Sequence, residues 1–333
     1  MTRLLLAGTG LIGHRHLAHI DAHPRLHLAG IIDPDPERRA HGSAPGFASL
    51  GDVDVDADGL VIATPTETHA PLAIEAMERG LDVLVEKPLA ETVEAARSIV
   101  AAETRTGRKV LVGHHRRHHP RVVKLHEVLT SGRIGQPVGA SLMWYMRKPD
   151  EYFDIPWRAG MNGAPVKQNL IHDVDMLCWL FGDVDDVVGL GGNPVRGKPR
   201  TEHGGAVLRF ASGVIVTIGF SDTTPTPWGF EAGTGESPAI PKTAQDSLHI
   251  ACTQGAIEFP SLRVWSGADH WNEEPVSSET PVEEGVPLIR QLEHFSEVIA
   301  GITPPQVSAK DGLRALDVTL RIEAATMPPA INA

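Results

Sequence analysis

Five short apolar runs punctuate the first third of the chain: Leu4–Ala7, Leu28–Ile32, Leu60–Ala63, Val83–Val85 and Val110–Val112. Between them, Leu11–Ala22, Ala70–Arg79 and Thr92–Thr104 carry apolar residues at three- and four-residue spacing, the mark of one-sided helices. Unbroken apolar runs suit strands covered on both faces, so the alternation predicts a parallel sheet with helices on each side. Right-handed crossovers wind such a chain into a doubly wound unit, which ends near Gly113.

The pattern then changes. His114–Pro120 reads as a connection, followed by a helix over Arg121–Thr130, a strand over Val138–Tyr145, a Pro/Gly/charge-rich stretch over Arg147–Pro165 and a helix over Asn169–Phe181. From Gly204 to Phe259 the runs are longer and alternate. Ala206–Phe210 and Val214–Phe220 flank Ser212-Gly213, and Leu248–Cys252 and Ala256–Phe259 flank Thr253-Gln254-Gly255, which are hairpin signals. Thr223–Pro241 is rich in Pro and Gly and reads as a long loop beside a site. Helices over Leu288–Ile299 and Asp311–Ala325 close the chain. The expected architecture is α/β: an N-terminal doubly wound parallel sheet in residues 1–119, then an α+β domain in residues 120–333 with a large, mostly antiparallel open sheet.

Composition narrows the partners. A formal net charge of −12 argues against nucleic acid or an anionic membrane surface, both of which need a basic face. Two cysteines, Cys178 and Cys252, supply neither a disulfide framework nor metal-ligand spacing and suit a reducing compartment. The run Leu4-Leu5-Leu6-Ala7 is broken at once by Gly8 and Gly10, so it reads as a buried strand rather than a leader, and no stretch is long enough to span a bilayer. A cytoplasmic protein is the expectation.

The first strand runs into Gly8-Thr9-Gly10-Leu11-Ile12-Gly13, and Asp33 ends the second. A glycine-rich turn between a strand and a helix, with an acidic residue about 20 positions on, is the fingerprint of a dinucleotide site. Gly8 permits the tight turn, Gly10 lets the backbone approach a pyrophosphate, and Gly13 lets helix and strand pack closely. The helix N-terminus offers unpaired N–H groups and the positive end of its dipole to the diphosphate. The Asp33 carboxylate suits ribose hydroxyls and repels a 2′-phosphate, which favours NAD over NADP. Arg38 and Arg39 lie close enough in sequence to pair with such a phosphate, or to form a solvated helix face.

Further residues sharpen the picture. Thr64-Pro65 with His69 follows the third strand, Glu86-Lys87-Pro88 follows the fourth, and His172 with Asp175 opens a later helix. Trp157-Arg158 precedes that helix, and Gln291-Leu292-Glu293-His294-Phe295 and Asp311-Gly312-Leu313 occur near the end. With the glycine turn, this set resembles the glucose–fructose oxidoreductase / inositol dehydrogenase (Gfo/Idh/MocA) family over nearly the whole chain. The resemblance implies a Rossmann domain, a C-terminal domain whose open sheet often makes subunit contacts, and therefore a homo-oligomer, dimer or tetramer. It implies hydride exchange between nicotinamide and a carbinol carbon of a sugar, inositol, polyol or related acid, with Thr64, Pro65, His69, Glu86 and Lys87 joining the cofactor site.

Oxidising a secondary alcohol by hydride loss requires a group that takes the hydroxyl proton and a charge that steadies the forming alkoxide. Lys87, at the C-terminal end of a parallel strand, suits the second role. The ordinary pKa of a histidine suits proton exchange near neutrality, which points to His172 for the first. Similar enzymes use a lysine and a histidine at matching places, so Lys87 and His172 are the candidate catalytic pair. Asp175, one helical turn from His172, either orients the imidazole, reaches the substrate, or only complements the helix start. Pro88 follows the lysine, as a cis-proline in similar proteins or as an ordinary trans turn. Trp157 and Arg158 are candidate cofactor or substrate neighbours.

One departure affects the substrate. Many members carry an Asp four residues before the histidine; here Gln168 stands there, with Lys167 before it and Asn169 after it. A neutral amide cannot act as a base, though it donates and accepts hydrogen bonds. Lys167 adds a cation for an anionic substrate or for solvent. The cluster His114, His115, His118, His119 is interrupted by Arg116 and Arg117, which repel a cation, so no metal is expected. Besides a polyol or sugar dehydrogenase, two readings stay open: an enzyme that recycles tightly bound NAD within one turnover, and a non-catalytic dinucleotide-binding regulator on the same fold.

Overall fold

A computed structural model describes residues 1–42, 44–160 and 163–328, with Trp157 described in its backbone alone. The chain forms two units: Met1–His119 with Gly285–Leu316, and Pro120–Glu284 with Asp317–Ala333.

The first unit begins with β1 (Thr2–Ala7), α1 (Leu11–Ala22), β2 (Leu26–Ile32), the short α2 (Pro36–Arg39), β3 (Gly46–Phe47) and β4 (Gly59–Ile62). It continues through α3 (His69–Glu78), β5 (Asp82–Val85), α4 (Val93–Thr106) and β6 (Val110–Val112). The six strands lie in the order β3-β2-β1-β4-β5-β6 and every pairing is parallel. This is the doubly wound Rossmann order, with the reversal between β1 and β4. Strands β4, β5 and β6 are buried along their whole length, the property expected of a sheet covered on both faces.

The second unit contains α5 (Pro120–Thr130), β7 (Pro137–Tyr145), α6 (Pro156–Ala159), α7 (Ile171–Phe181), β8 (Val184–Gly192), β9 (His203–Phe210) and β10 (Ile215–Ser221). Then come α8 (Phe230–Thr234), β11 (Leu248–Cys252), β12 (Gly255–Phe259), β13 (Val264–Ser266) and β14 (Val276–Ser278). Eight strands pair in the order β14-β13-β12-β11-β7-β10-β9-β8, and only β7 with β10 is parallel. On one face, Leu142 and Trp144 of β7, Val216, Ile218 and Phe220 of β10, and Leu208 of β9 join Leu125 of α5 and Val174 and Leu177 of α7 in a single core. The other face is open and carries exposed Val188, Leu190, Val207 and Ile215. Here β7, β11, β12 and β13 line a cavity of about 260 Å³ that includes Ser141, His249, Glu258 and Trp265.

Two helices close the chain, α9 (Pro287–Ile299) and α10 (Ala309–Ala325). The expected second domain of residues 120–333 differs from the observed division here, because residues 285–316 return to the first unit. The cause is the apolar stripe of α9: Leu288, Leu292, Phe295 and Val298 are buried, at roughly 2 kcal/mol for each large side chain. A Cβ on Gly59 of β4 would meet Ile299 at 2.8 Å and Phe295 at 3.0 Å, and Val112 of β6 donates its N–H to Val307 at 2.9 Å.

Three other expectations shift. The helix expected from Asn169 starts at Ile171, preceded by a π-helical turn over Val166–Leu170. The loop expected over Thr223–Pro241 contains α8, held by buried Phe230 and by a 3.0 Å hydrogen bond from the Trp144 indole to Glu231. The connection His114–Pro120 contains a 3-10 turn, His115–His118. No helix among the described residues is long and apolar enough to cross a membrane.

Candidate active site

The site in the first unit is assembled from four adjacent strand ends, those of β2, β1, β4 and β5. At the end of β1, Gly8 adopts φ +84°, and a Cβ there would meet the Ala63 carbonyl oxygen at 2.7 Å. Gly13 is closer still, since its Cβ would lie 2.1 Å from the Gly8 oxygen. These two glycines let the β1 turn, the start of α1 and the end of β4 approach one another where the strand order reverses. A Cβ on Gly10, by contrast, would meet nothing within 4 Å, so the turn faces open space.

The first hydrogen bond of α1 runs from the His14 N–H to the Gly10 carbonyl at 2.9 Å. The amides of Leu11, Ile12 and Gly13 therefore have no acceptor within the helix. Leu11 is 85% exposed although apolar. Asp33, at the end of β2, is buried. One of its oxygens accepts from the Thr9 N–H and hydroxyl, each at 3.1 Å, and the other accepts from the Asp35 N–H at 3.0 Å. This open turn, these amides and the fixed carboxylate fit an adenine dinucleotide. Arg39 is occupied by the carbonyls of Asp33 and Pro34, and Arg38 by Asp35 at 3.6 Å.

Beyond β4, the Thr68 hydroxyl lies 2.7 Å from both the Thr64 hydroxyl and the Pro65 carbonyl, and its one proton serves one of them at a time. His69 is buried, with Nε2 at 2.9 Å from the Thr64 carbonyl and Nδ1 at 2.9 Å from the Pro88 carbonyl. Both ring nitrogens thus face backbone. Beyond β5 lies the Glu86-Lys87-Pro88 triplet, with a cis Lys87–Pro88 bond. Glu86 is buried, and its Oε1 lies 2.8 Å from His16 Nε2 while its Oε2 accepts the Lys87 N–H at 3.2 Å. Burial pushes the Glu86 carboxyl up. The hydrogen bond from His16 and the charges of His16, His115 and Lys87 outweigh it, leaving the group below its usual range. Lys87 itself is half-buried.

The other candidates lie in the second unit. Gln168 and Asn169 occupy the π-helical turn, a distortion often found at functional sites. The Asn169 Oδ1 is shielded from solvent and accepts no hydrogen bond among the described residues. His172, Asp173 and Asp175 follow on α7, all buried. Lys167 is paired with Glu323 at 2.9 Å, which occupies the cation the sequence offered to an anionic substrate. Arg158 lies over the Tyr152 ring at 4.4 Å, and the Trp157 side chain lies outside the described residues.

The histidine run is a packed element. His114, Arg116, Arg117, His118 and His119 are buried, Arg117 pairs with Asp311 at 3.5 Å, and the rings of His118 and His294 are 5.2 Å apart. Among the described residues, no group of three or more His, Cys, Asp or Glu is arranged to hold a metal ion. Sequence reasoning missed the parts played by His16 and Thr9. Each sits beside a residue it had singled out, but 70 and 24 positions away along the chain.

Comparison with known proteins agrees with the fold. Residues 2–114 match the model described as "Oxidoreductase family, NAD-binding Rossmann fold", and residues 122–258 match the "GFO/IDH/MocA C-terminal domain". Inositol 2-dehydrogenase 4 of Saccharopolyspora erythraea is 29% identical over 232 residues, 65% of this chain and 65% of that protein. The alignment thus spans slightly less than two thirds of that relative's length. A 1,5-anhydro-D-fructose reductase of Ensifer adhaerens is 28% identical over 280 residues, 82% of this chain and 78% of its own. Among solved structures, an oxidoreductase from Agrobacterium radiobacter in complex with NAD+, L-tartaric acid and magnesium superposes with a TM-score of 0.81. It is 17% identical, covering 97% of this chain and 96% of its own, which establishes likeness of fold.

Proposed function

The chain belongs to the Gfo/Idh/MocA family of oxidoreductases, and on that premise we propose that it transfers hydride between nicotinamide and a secondary alcohol, or the matching ketone, of a sugar, inositol or related polyol or acid. The observation that carries this reading is the convergence of the dinucleotide turn after β1, the Thr64–His69 loop after β4 and Lys87 after β5 on the C-terminal ends of neighbouring parallel strands. Ligands of open α/β sheets bind at such ends, beside the reversal of strand order. The relatives named as inositol dehydrogenase and anhydrofructose reductase support the polyol class.

The residues divide the work as follows. The free amides of Leu11, Ile12 and Gly13 hold the diphosphate, and Asp33 holds the adenosine ribose, which favours NAD over NADP. Bound NAD supplies the hydride acceptor. Lys87 holds the reacting oxygen and stabilises the negative charge that grows on it as hydride leaves. His172 accepts the hydroxyl proton, and returns one when the reaction runs towards the alcohol. Asp175 orients the imidazole, while Asn169 and Gln168 contact substrate hydroxyls, Asn169 through its unsatisfied Oδ1.

The test is a screen of purified protein against inositols, sugars, aldonates and sugar acids with NAD and NADP, and against the ketones with NADH, followed by nicotinamide absorbance. Turnover with one class in the presence of NAD is the expected result. Absence of turnover in both directions with tight NADH binding overturns the dehydrogenase reading. Nicotinamide reduction that stays bound through repeated turnovers marks the recycling alternative.

The open face of the eight-stranded sheet supports a homo-oligomer. Leu190 is 84% exposed and Val188 58% exposed on β8. Exposed aliphatic side chains aligned on a flat sheet favour association.

A further inference from the structure

Two buried histidines grip the two residues that flank Lys87. His16, fully buried on α1, lies 2.8 Å from Glu86 Oε1, and the other Glu86 oxygen receives the Lys87 N–H. His69, on α3, reaches the Pro88 carbonyl with one ring nitrogen and the Thr64 carbonyl with the other, both at 2.9 Å. Carbonyl oxygens only accept and a neutral imidazole carries one N–H, so a neutral ring donates to one of these two carbonyls in each tautomer.

The backbone packs closely against the Glu86 side chain. A Cβ on Gly113 would lie 2.8 Å from Glu86 Cα and 2.9 Å from Oε2, so only a glycine allows β6 to close on the carboxylate. The carboxylate is kept ionised despite burial by His16, His115 and Lys87, which makes its bond to His16 charge-assisted.

We propose that His16 and His69 are positioning residues for Lys87: His16 anchors Glu86 before the lysine to the helix of the dinucleotide turn, and His69 ties Pro88 after it to the Thr64 loop. The inference rests on the reading of Lys87 as the residue that holds the reacting oxygen. It goes further by making the lysine's direction depend on α1 and on the β4 loop. Neither histidine touches substrate; each acts through the residue it holds. Misplacement of a catalytic group by about 1 Å costs on the order of 100-fold in rate, so the grip matters for turnover.

The test uses the full chain and needs no substrate. Lysines are dimethylated reductively with 13C-formaldehyde, and the Lys87 signal is assigned by its loss in Lys87→Arg. NADH binding is followed in parallel by fluorescence. In the wild type the Lys87 signal stands apart from those of solvated lysines and moves on addition of NADH. In His16→Leu and His69→Phe it moves to the solvated position, and in His16→Leu, whose histidine lies outside the residues assigned to the cofactor, NADH affinity changes less than about 3-fold; His16→Gln and His69→Gln, which keep a side-chain N–H donor, recover part of the shift.

A Lys87 signal in the folded leucine and phenylalanine variants that matches the wild type overturns the proposal. If those variants do not fold, 15N-histidine spectra of the wild type decide. Ring N–H protons of His16 and His69 protected from exchange support the grip, and exchange as fast as in a solvated imidazole overturns it. The Lys87 reading fails separately, through unchanged turnover in Lys87→Ala.

Discussion

Thr9 donates to Asp33 twice, from its backbone N–H and from its hydroxyl, each at 3.1 Å and both onto the same carboxylate oxygen. The other oxygen already accepts from the Asp35 N–H, so one acceptor position there remains for a ribose hydroxyl. The carboxylate is thus oriented before a cofactor arrives. Replacing Asp33 with alanine is expected to lower kcat/KM for NAD by about 10-fold or more, the worth of a hydrogen bond to a charged group. The same change relieves repulsion of a 2′-phosphate, so the NAD-to-NADP preference ratio falls. Thr9→Val removes one donor and keeps the other, and a loss of a few fold is expected. Equal preference ratios in Asp33→Ala and wild type, measured by steady-state kinetics with both cofactors, would refute this role.

If association uses the open face of the sheet, charge placed there will break it. Val188 and Leu190 alternate on β8 with half-buried neighbours, so both project to the same side. The double variant Val188→Lys, Leu190→Lys is expected to sediment as a monomer, with the wild type as a dimer or larger. Sedimentation velocity distinguishes these masses, and an unchanged wild-type mass in the variant places the interface elsewhere.

The first unit was readable because its signals are local. Apolar runs such as Leu60–Ile62 need nothing but a covered sheet, and the expected α1, Leu11–Ala22, coincides with the observed helix. The glycine turn and Asp33 belong to one strand–helix–strand stretch, so spacing alone marks them. What was not legible depends on contacts between distant positions. The pairs His16–Glu86 and His69–Pro88 join residues on separate elements, and neither histidine has a sequence context that names its partner. The return of α9 to the first unit is equally silent: its apolar stripe says that one face is buried, not against what. In the second unit, β8 reads Val-Asp-Asp-Val-Val-Gly-Leu-Gly-Gly, without a clean alternation, and β13 and β14 are three residues each, too short for periodicity to register. The π-helical turn before α7 moved the helix start because a sequence pattern of period 3.6 does not reveal one inserted residue.

Burial of His118 is expected to make the fold less stable in acid. His118 is driven down to about 3, first by burial and then by His294, His115 and Arg117 around it. As pH falls below the ordinary histidine value, the unfolded chain takes up this proton and the folded chain does not. Stability present above that value is therefore lost progressively down to the folded pKa, at up to about 1.4 kcal/mol per pH unit from this group. His118→Phe keeps a ring against His294 and removes the titration. Its stability, measured by denaturant unfolding at pH 7.5, 6 and 5, is expected to decline less steeply than that of the wild type. Parallel declines would show that His118 is not the group responsible.

The division of labour between Lys87 and His172 makes two variants behave differently. Lys87 is half-buried after β5, beside Glu86 and the Thr64 loop, so it belongs to the part of the fold that also carries the dinucleotide turn. Lys87→Ala removes the charge that steadies the alkoxide but none of the groups assigned to the diphosphate or adenosine ribose. NADH affinity should change by no more than a few fold, while kcat falls about 100- to 1,000-fold, the worth of one preorganised donor to a developing oxyanion. His172 lies on α7 among buried Asp173 and Asp175. His172→Asn keeps a donor but cannot take a proton at neutral pH, so the loss should be comparable and should carry a pH signature. The wild-type oxidation rate should rise with pH as His172 loses its proton; in His172→Asn that limb should disappear, and the remaining rate should increase with hydroxide. A variant that retains the wild-type limb would transfer the base assignment to another group, with Asp175 the first to examine. Equal losses of NADH binding and turnover in Lys87→Ala would instead make the lysine a cofactor-binding residue.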